Sequence, residues 1–148
     1  DINPVVPPHL SGLPISPQPD THINVEEILG QLDEPDFVVL DTRSADEHYA
    51  RVARADRAGA IPGSIHIEWT ENLNPDGTFK PAHQLQKMYN QVGVTSDKRI
   101  TCYCQGGYRS AHSYLALRLL GYPRVSNYIG SWKEWGDRHD LPIEIRTD

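Results

Sequence analysis

The chain predicts an α/β fold with parallel strands at its centre and helices over both faces, and three observations carry that prediction. Phe37-Val38-Val39-Leu40 is a continuous apolar run of the kind shown by a strand covered on both sides. Arg99-Ile100-Thr101-Cys102-Tyr103 is a second short, β-prone run that ends at Cys104, and the turn-forming Gln105-Gly106-Gly107-Tyr108-Arg109 then leads into a helical run from Ser110 to Leu120. Strands and helices alternate along the chain, as right-handed βαβ connections of a parallel sheet require.

Each element has a local reason. Residues 1–20 hold Pro4, Pro7, Pro8, Pro14, Pro17 and Pro19 without a sustained period, which fits an N-terminal arm or linker, and 21–148 reads as one folded domain. Asn24 caps a helix from Val25 to Leu32, with Glu27 completing a capping-box pair. The strand Phe37 to Leu40 delivers Asp41 and Arg43 to its end, where Asp41 either shapes a site or caps the next turn and pairs with Arg43. Ser44 starts a short helix with Glu47 at its third position, read as scaffold. Ile61-Pro62-Gly63 turns into a strand from Ser64 to Ile67, and Asn74-Pro75-Asp76-Gly77 is a second turn. A helix from Pro81 to about Gln91 places Leu85 and Met88 on one face and stops at Gly93. In the helix after Arg109, the apolar residues Ala111, Leu115, Leu117, Leu119 and Leu120 predict burial of most of its surface. Gly121-Tyr122-Pro123 ends it before a strand near Arg124 to Tyr128, and Trp132 and Trp135 open a last short helix as core aromatics.

Composition narrows the function classes. At 148 residues the chain is one ordinary domain, large enough for a core without staples. A net charge of −6 with no long Lys/Arg cluster argues against nucleic acid as a partner. No apolar run reaches membrane-spanning length. The two cysteines, Cys102 and Cys104, cannot build a disulfide framework, so a reducing, cytoplasmic location is expected, with periplasm or an organelle left open because the chain starts at Asp1. Cys102, Cys104 and His112 lack the paired spacings of a zinc site, and no dinucleotide or phosphate-loop fingerprint occurs, so no metal and no cofactor are expected.

The chemistry concentrates at Cys104. It sits where a strand ends and a helix begins, the crevice where ligands bind in open α/β sheets, beside free amides and a partial positive charge. A free thiol titrates near ~8.5, and helix amides with a neighbouring guanidinium lower that value. Gly106 and Gly107 let the backbone turn its N–H groups inward as an anion nest, and Arg109 closes the loop. Tyr108, within the loop, is expected to face a substrate, and His112 is a further ionisable group in the first turn of the helix.

Cys104-Gln105-Gly106-Gly107-Tyr108-Arg109 resembles the active-site loop of rhodanese sulfurtransferases. Val125 to Trp135, with Gly130-Ser131-Trp132-Lys133-Glu134-Trp135 at its end, is similar to the C-terminal signature of thiosulfate and mercaptopyruvate sulfurtransferases, with Ile129 in place of the usual acidic residue, alanine or proline. Val39 to Arg43 and Gly59 to Ser64 match two further family segments, Ala60 standing where histidine is usual. The resemblance covers about Thr21 to Pro142. It implies a rhodanese-like fold, with a central parallel sheet of about five strands flanked by helices on both faces, either a single catalytic domain or the C-terminal half of a tandem one.

The resemblance also implies the reaction: sulfane sulfur moves from a small anionic donor to a thiophilic acceptor, cyanide or a thiol, through a Cys104 persulfide stabilised by the amides of Gln105, Gly106, Gly107, Tyr108 and Arg109. A thiol-bearing protein is a further acceptor. Tandem relatives place an arginine near the substrate from the loop before Gly59, which makes Arg57, with Arg54 behind it, a candidate for the substrate pocket beside Asp41; solvated surface arginines are the alternative. Phosphatases of the same fold carry one more residue between cysteine and arginine, so the shorter loop favours sulfur over phosphoryl transfer. The loop matches neither donor pattern of the family, and its single guanidinium favours thiosulfate. A persulfide relay or sensor that serves only a partner protein is the rival outside enzymes.

Overall fold

The computed structural model describes residues 19–146. The expected proline-rich arm lies outside the described residues except for Pro19 and Asp20, which begin a 3-10 turn, Pro19–Thr21. The elements that follow are α1 (Val25–Leu29), β1 (Phe37–Asp41), α2 (Ala45–His48), β2 (Ile65–His66), α3 (Ala82–Gln91), β3 (Arg99–Tyr103), α4 (Tyr108–Leu119), β4 (Val125–Asn127) and α5 (Ser131–Asp137), with a second 3-10 turn at Trp69–Asn72.

The strands form one parallel sheet in the order β2-β1-β3-β4. The sheet has four strands among the described residues where about five were expected. His22 makes only an isolated parallel bridge to Asn127, at the place a fifth strand would occupy. The chain cannot extend that pairing, because two residues later Asn24 accepts the Glu27 amide at 2.9 Å while Glu27 accepts the Asn24 amide at 2.9 Å, and this capping box commits it to α1.

Strand alternation divides the core in two. Val39 and Tyr103 face α1 and α5, packing with Val25, Ile28, Trp132 and Trp135. Leu40, Ile100 and Cys102 face the other way, onto Leu85 and Tyr89 of α3 and Leu117 of α4. The strands therefore carry apolar residues on successive positions, as two covered faces demand.

One helix departs from the sequence expectation. α4 buries Ser110, Ser113, Ala116 and Leu117, whereas Leu115 and Leu119 are 47% and 67% exposed. Small residues let this helix approach the sheet closely, and the leucines four apart mark the face left outside. Asn72 donates to the buried Ser113 hydroxyl at 3.1 Å, and Tyr89 donates to Asn72 at 2.7 Å, so these three polar side chains under α4 are partnered.

After β1 the chain moves to one side for β2, then crosses to the other side of β1 for β3. The reversal leaves a crevice at the carboxyl ends of β1 and β3. Thr42 closes its floor, donating from its amide and its hydroxyl to the Tyr103 carbonyl at 3.0 and 2.9 Å.

Candidate active site

Cys104 follows the last residue of β3 and sits directly over that crevice. Two residues on, Gly106 and Gly107 turn the chain, and Gly107 precedes α4 with φ +88°, a conformation that glycine supplies without strain. The Gly107 amide donates to the Cys104 sulfur at 3.1 Å, and the Ser110 hydroxyl lies 3.6 Å from it. Burial pushes the thiol up, but the hydroxyl and amide of Ser110 and the amides of Gly106 and Gly107 outweigh it, leaving Cys104 below its ordinary value. Cys102, two residues earlier in the apolar layer under α4, is pushed well up by burial and by the neighbouring Cys104. Both thiols are free, and only Cys104 has donors assembled around it.

Arg109 does not reach into open solvent. Its guanidinium makes a bidentate pair with Glu47 of α2, at 2.7 and 2.9 Å. Burial raises the Glu47 carboxyl, yet Arg109 and the Ser44 hydroxyl and amide hold it down at about 2, and Glu47 in turn raises Arg109. The Ser44 cap that starts α2 thus also orients the carboxylate that fixes Arg109. Sequence reasoning assigned Glu47 to scaffold; its capping-box position was visible, but its partner lies 62 residues away.

Further contacts shape the rim. Gln105 donates through Nε2 to the Arg54 carbonyl at 2.7 Å, and Asn127, at the end of β4, donates to the Gly107 carbonyl at 3.1 Å. Tyr108 begins α4 with 88% of its surface exposed, and Ile129 backs Gly107 while remaining largely exposed. His112 is half-buried between Phe79, on which it stacks at 4.6 Å, and Trp69, and burial lowers its ionisation.

Asp41 and Arg57, expected as candidates for a substrate pocket, are engaged with the protein itself. Asp41 is fully buried and accepts from Arg43 at 2.6 Å, the Tyr103 hydroxyl at 2.7 Å and His48 at 2.8 Å. Its burial works against ionisation, and the donors from His48 and Arg43 overcome it, so the carboxyl is held far below the carboxylate range. Arg43 in turn donates to the Gly59 carbonyl at 2.8 Å and lies over the Trp132 ring. Arg57 donates to the carbonyls of Trp135, Gly136, Arg138 and Leu141, tying down the end of α5. Among the described residues no cluster of three or more His, Cys, Asp or Glu side chains is arranged to hold a metal ion, and no helix is long and apolar enough to cross a membrane.

Residues 24–138 match the rhodanese-like domain family. A Thermus thermophilus protein named sulfur carrier protein TtuD is 45% identical over 114 residues, covering 71% of this chain and 40% of that protein. The thiosulfate sulfurtransferases of Pseudomonas aeruginosa and Azotobacter vinelandii are 34% and 37% identical, over 95% and 80% of this chain and 52% and 44% of their own. Among solved structures, EanB with ergothioneine covalently linked with a persulfide superposes with a TM-score of 0.85 at 27% identity, over 93% of this chain and 34% of that one. The anaerobic ergothioneine biosynthesis enzyme of Chlorobium limicola, in complex with trimethyl histidine, gives 0.82 at 27% identity over 88% and 33%. The chain spans about half the length, or less, of these curated relatives.

Proposed function

Because the chain belongs to the rhodanese-like domain family, we propose that it is a sulfurtransferase that carries sulfane sulfur on Cys104 between a small anionic donor and a thiophilic acceptor. The observation that carries this reading is the Cys104 sulfur held in a ring of amide and hydroxyl donors at the head of α4. Such a ring stabilises the thiolate that must attack and the charged persulfide that results. With thiosulfate, the Cys104 thiolate attacks the outer sulfur, the sulfur–sulfur bond of the donor breaks, and sulfite leaves with the electron pair. Cyanide or a thiolate then attacks the outer sulfur of the persulfide, and the Cys104 thiolate departs. Neither half-reaction needs an oxidant or a metal.

Arg109 serves in this scheme by fixing the loop through Glu47, a carboxylate it shares with Arg54, while its guanidinium also acts on Cys104. Donor selection then falls to the amides of Gln105, Gly106, Gly107 and Tyr108 and to the rim, with the Arg109 guanidinium beside Cys104.

The test is thiocyanate production from thiosulfate and cyanide by the full chain and by Cys104→Ala, repeated with mercaptopyruvate. Turnover that disappears in the variant supports the reading, and the donor ratio assigns the substrate. One relative is named a sulfur carrier protein, which favours a second reading, a relay to a protein acceptor. Mass spectrometry showing one extra sulfur on Cys104 without turnover would select the relay, and neither turnover nor added sulfur would overturn both.

A further inference from the structure

Behind the sulfur nest lies a second layer, built by the start of α5. The Cys104 amide donates to the Ser131 hydroxyl oxygen at 3.1 Å, the Trp132 amide donates to the Cys104 carbonyl at 2.9 Å, and the Lys133 amide donates to the Gln105 carbonyl at 3.0 Å. Three successive residues of α5 thus take up three backbone polar groups of the loop.

The consequence follows from peptide geometry. In a planar trans peptide the C=O and the N–H point in opposite directions. A Gln105 carbonyl drawn outward onto Lys133 therefore turns the Gly106 amide inward, and a Cys104 carbonyl drawn onto Trp132 does the same for the Gln105 amide. The first amides of α5 have no partners within their own helix, so they are free to make these bonds.

Ser131 is the pivot of this layer. It is fully buried, and its hydroxyl is used twice, accepting from Cys104 and donating to the Tyr128 carbonyl at 2.7 Å. Its backbone sits at φ +54°, in the left-handed region that favours glycine. A serine kept in a conformation that glycine would adopt more readily points to a requirement for the hydroxyl.

We infer that Ser131 is a positioning residue for sulfur transfer: its hydroxyl locks the Cys104 peptide against α5, so that the loop amides converge on the sulfur. The inference rests on Cys104 being the reactive thiol of the proposed function, and it has a readout independent of turnover.

The experiment measures alkylation of Cys104 by iodoacetamide across pH in the full chain, for the natural protein, Ser131→Gly and Ser131→Ala. Ser131→Ala removes only the hydroxyl, and Ser131→Gly removes the whole hydroxymethyl group but adopts the positive φ without strain, so it carries the test even where Ser131→Ala fails to fold. The expected result is a midpoint raised by about one pH unit in both variants. Below the midpoint the rate falls about threefold, because roughly tenfold less thiolate is partly offset by its greater nucleophilicity. A folded Ser131→Gly protein with an unchanged midpoint would overturn the inference. A raised midpoint in a chain whose natural form transfers no sulfur would sustain the positioning role while refuting the functional reading.

Discussion

Glu47→Gln isolates the electrostatic part of the pair that fixes Arg109, because glutamine keeps the shape and loses the charge. A carboxyl held at about 2 against an ordinary 4.5 corresponds to about 3 kcal/mol of folded-state stabilisation near neutral pH. Glu47 is almost fully buried, but the Arg109 side chain is 24% exposed, and solvent screening trims the figure to about 2 kcal/mol. The sign is that of a depressed acid: the stabilisation is complete above the unfolded value of 4.5 and is lost as pH falls toward the folded value of about 2. Urea unfolding of both proteins should therefore show Glu47→Gln less stable by about 2 kcal/mol near pH 7, with the gap narrowed by about 1 kcal/mol near pH 3.5. A gap of the same size at both pH values would refute the reasoning, since it would assign the loss to packing rather than to ionisation.

Three other perturbations separate the framework from the chemistry. Asp41→Asn strands the buried Arg43 guanidinium and should cost about 3–5 kcal/mol by urea unfolding; a loss below about 1 kcal/mol would contradict the buried pair described. Arg57→Ala should cost about 3 kcal/mol through the carbonyls it releases at the end of α5, with KM for thiosulfate unchanged. A raised KM at unaltered stability would instead return Arg57 to the substrate pocket. Gly107→Ala forces a side chain onto φ +88° and brings its Cβ to 3.2 Å from the Ile129 Cα and carbonyl oxygen. It should cost about 1–2 kcal/mol or more and depress sulfur transfer, and truncating Ile129 to alanine in the same chain should not rescue it, because the obstruction is backbone.

Much of the site was legible in the sequence because its parts are close along the chain. β3 occupies Arg99–Tyr103 as read, the loop after it carries Cys104 into a helix, and the capping residues Asn24 and Ser44 start their helices where their side chains predict. The misreading of α4 has a physical cause. Its leucines suggested the buried face, but only Leu117 turns fully inward, beside Ser110, Ser113 and Ala116, because a helix that must seat its first turn close to the crevice needs small residues there, and Leu115 and Leu119 are left outside.

The sequence by itself determined the α/β class, the thiol at a strand-to-helix turn and the amides that would surround it, since turn chemistry and capping act over a few residues. Only the tertiary structure decided the partners: Glu47 on Arg109, Ser131 on Cys104, and the inward commitment of Asp41 and Arg57. Apart from the local pairs of Asp41 with Arg43 and His48, those contacts join residues 27 to 84 positions apart. They exist because the sheet order places the ends of β1 and β3 side by side and because α2 and α5 close over them, an arrangement no local propensity encodes.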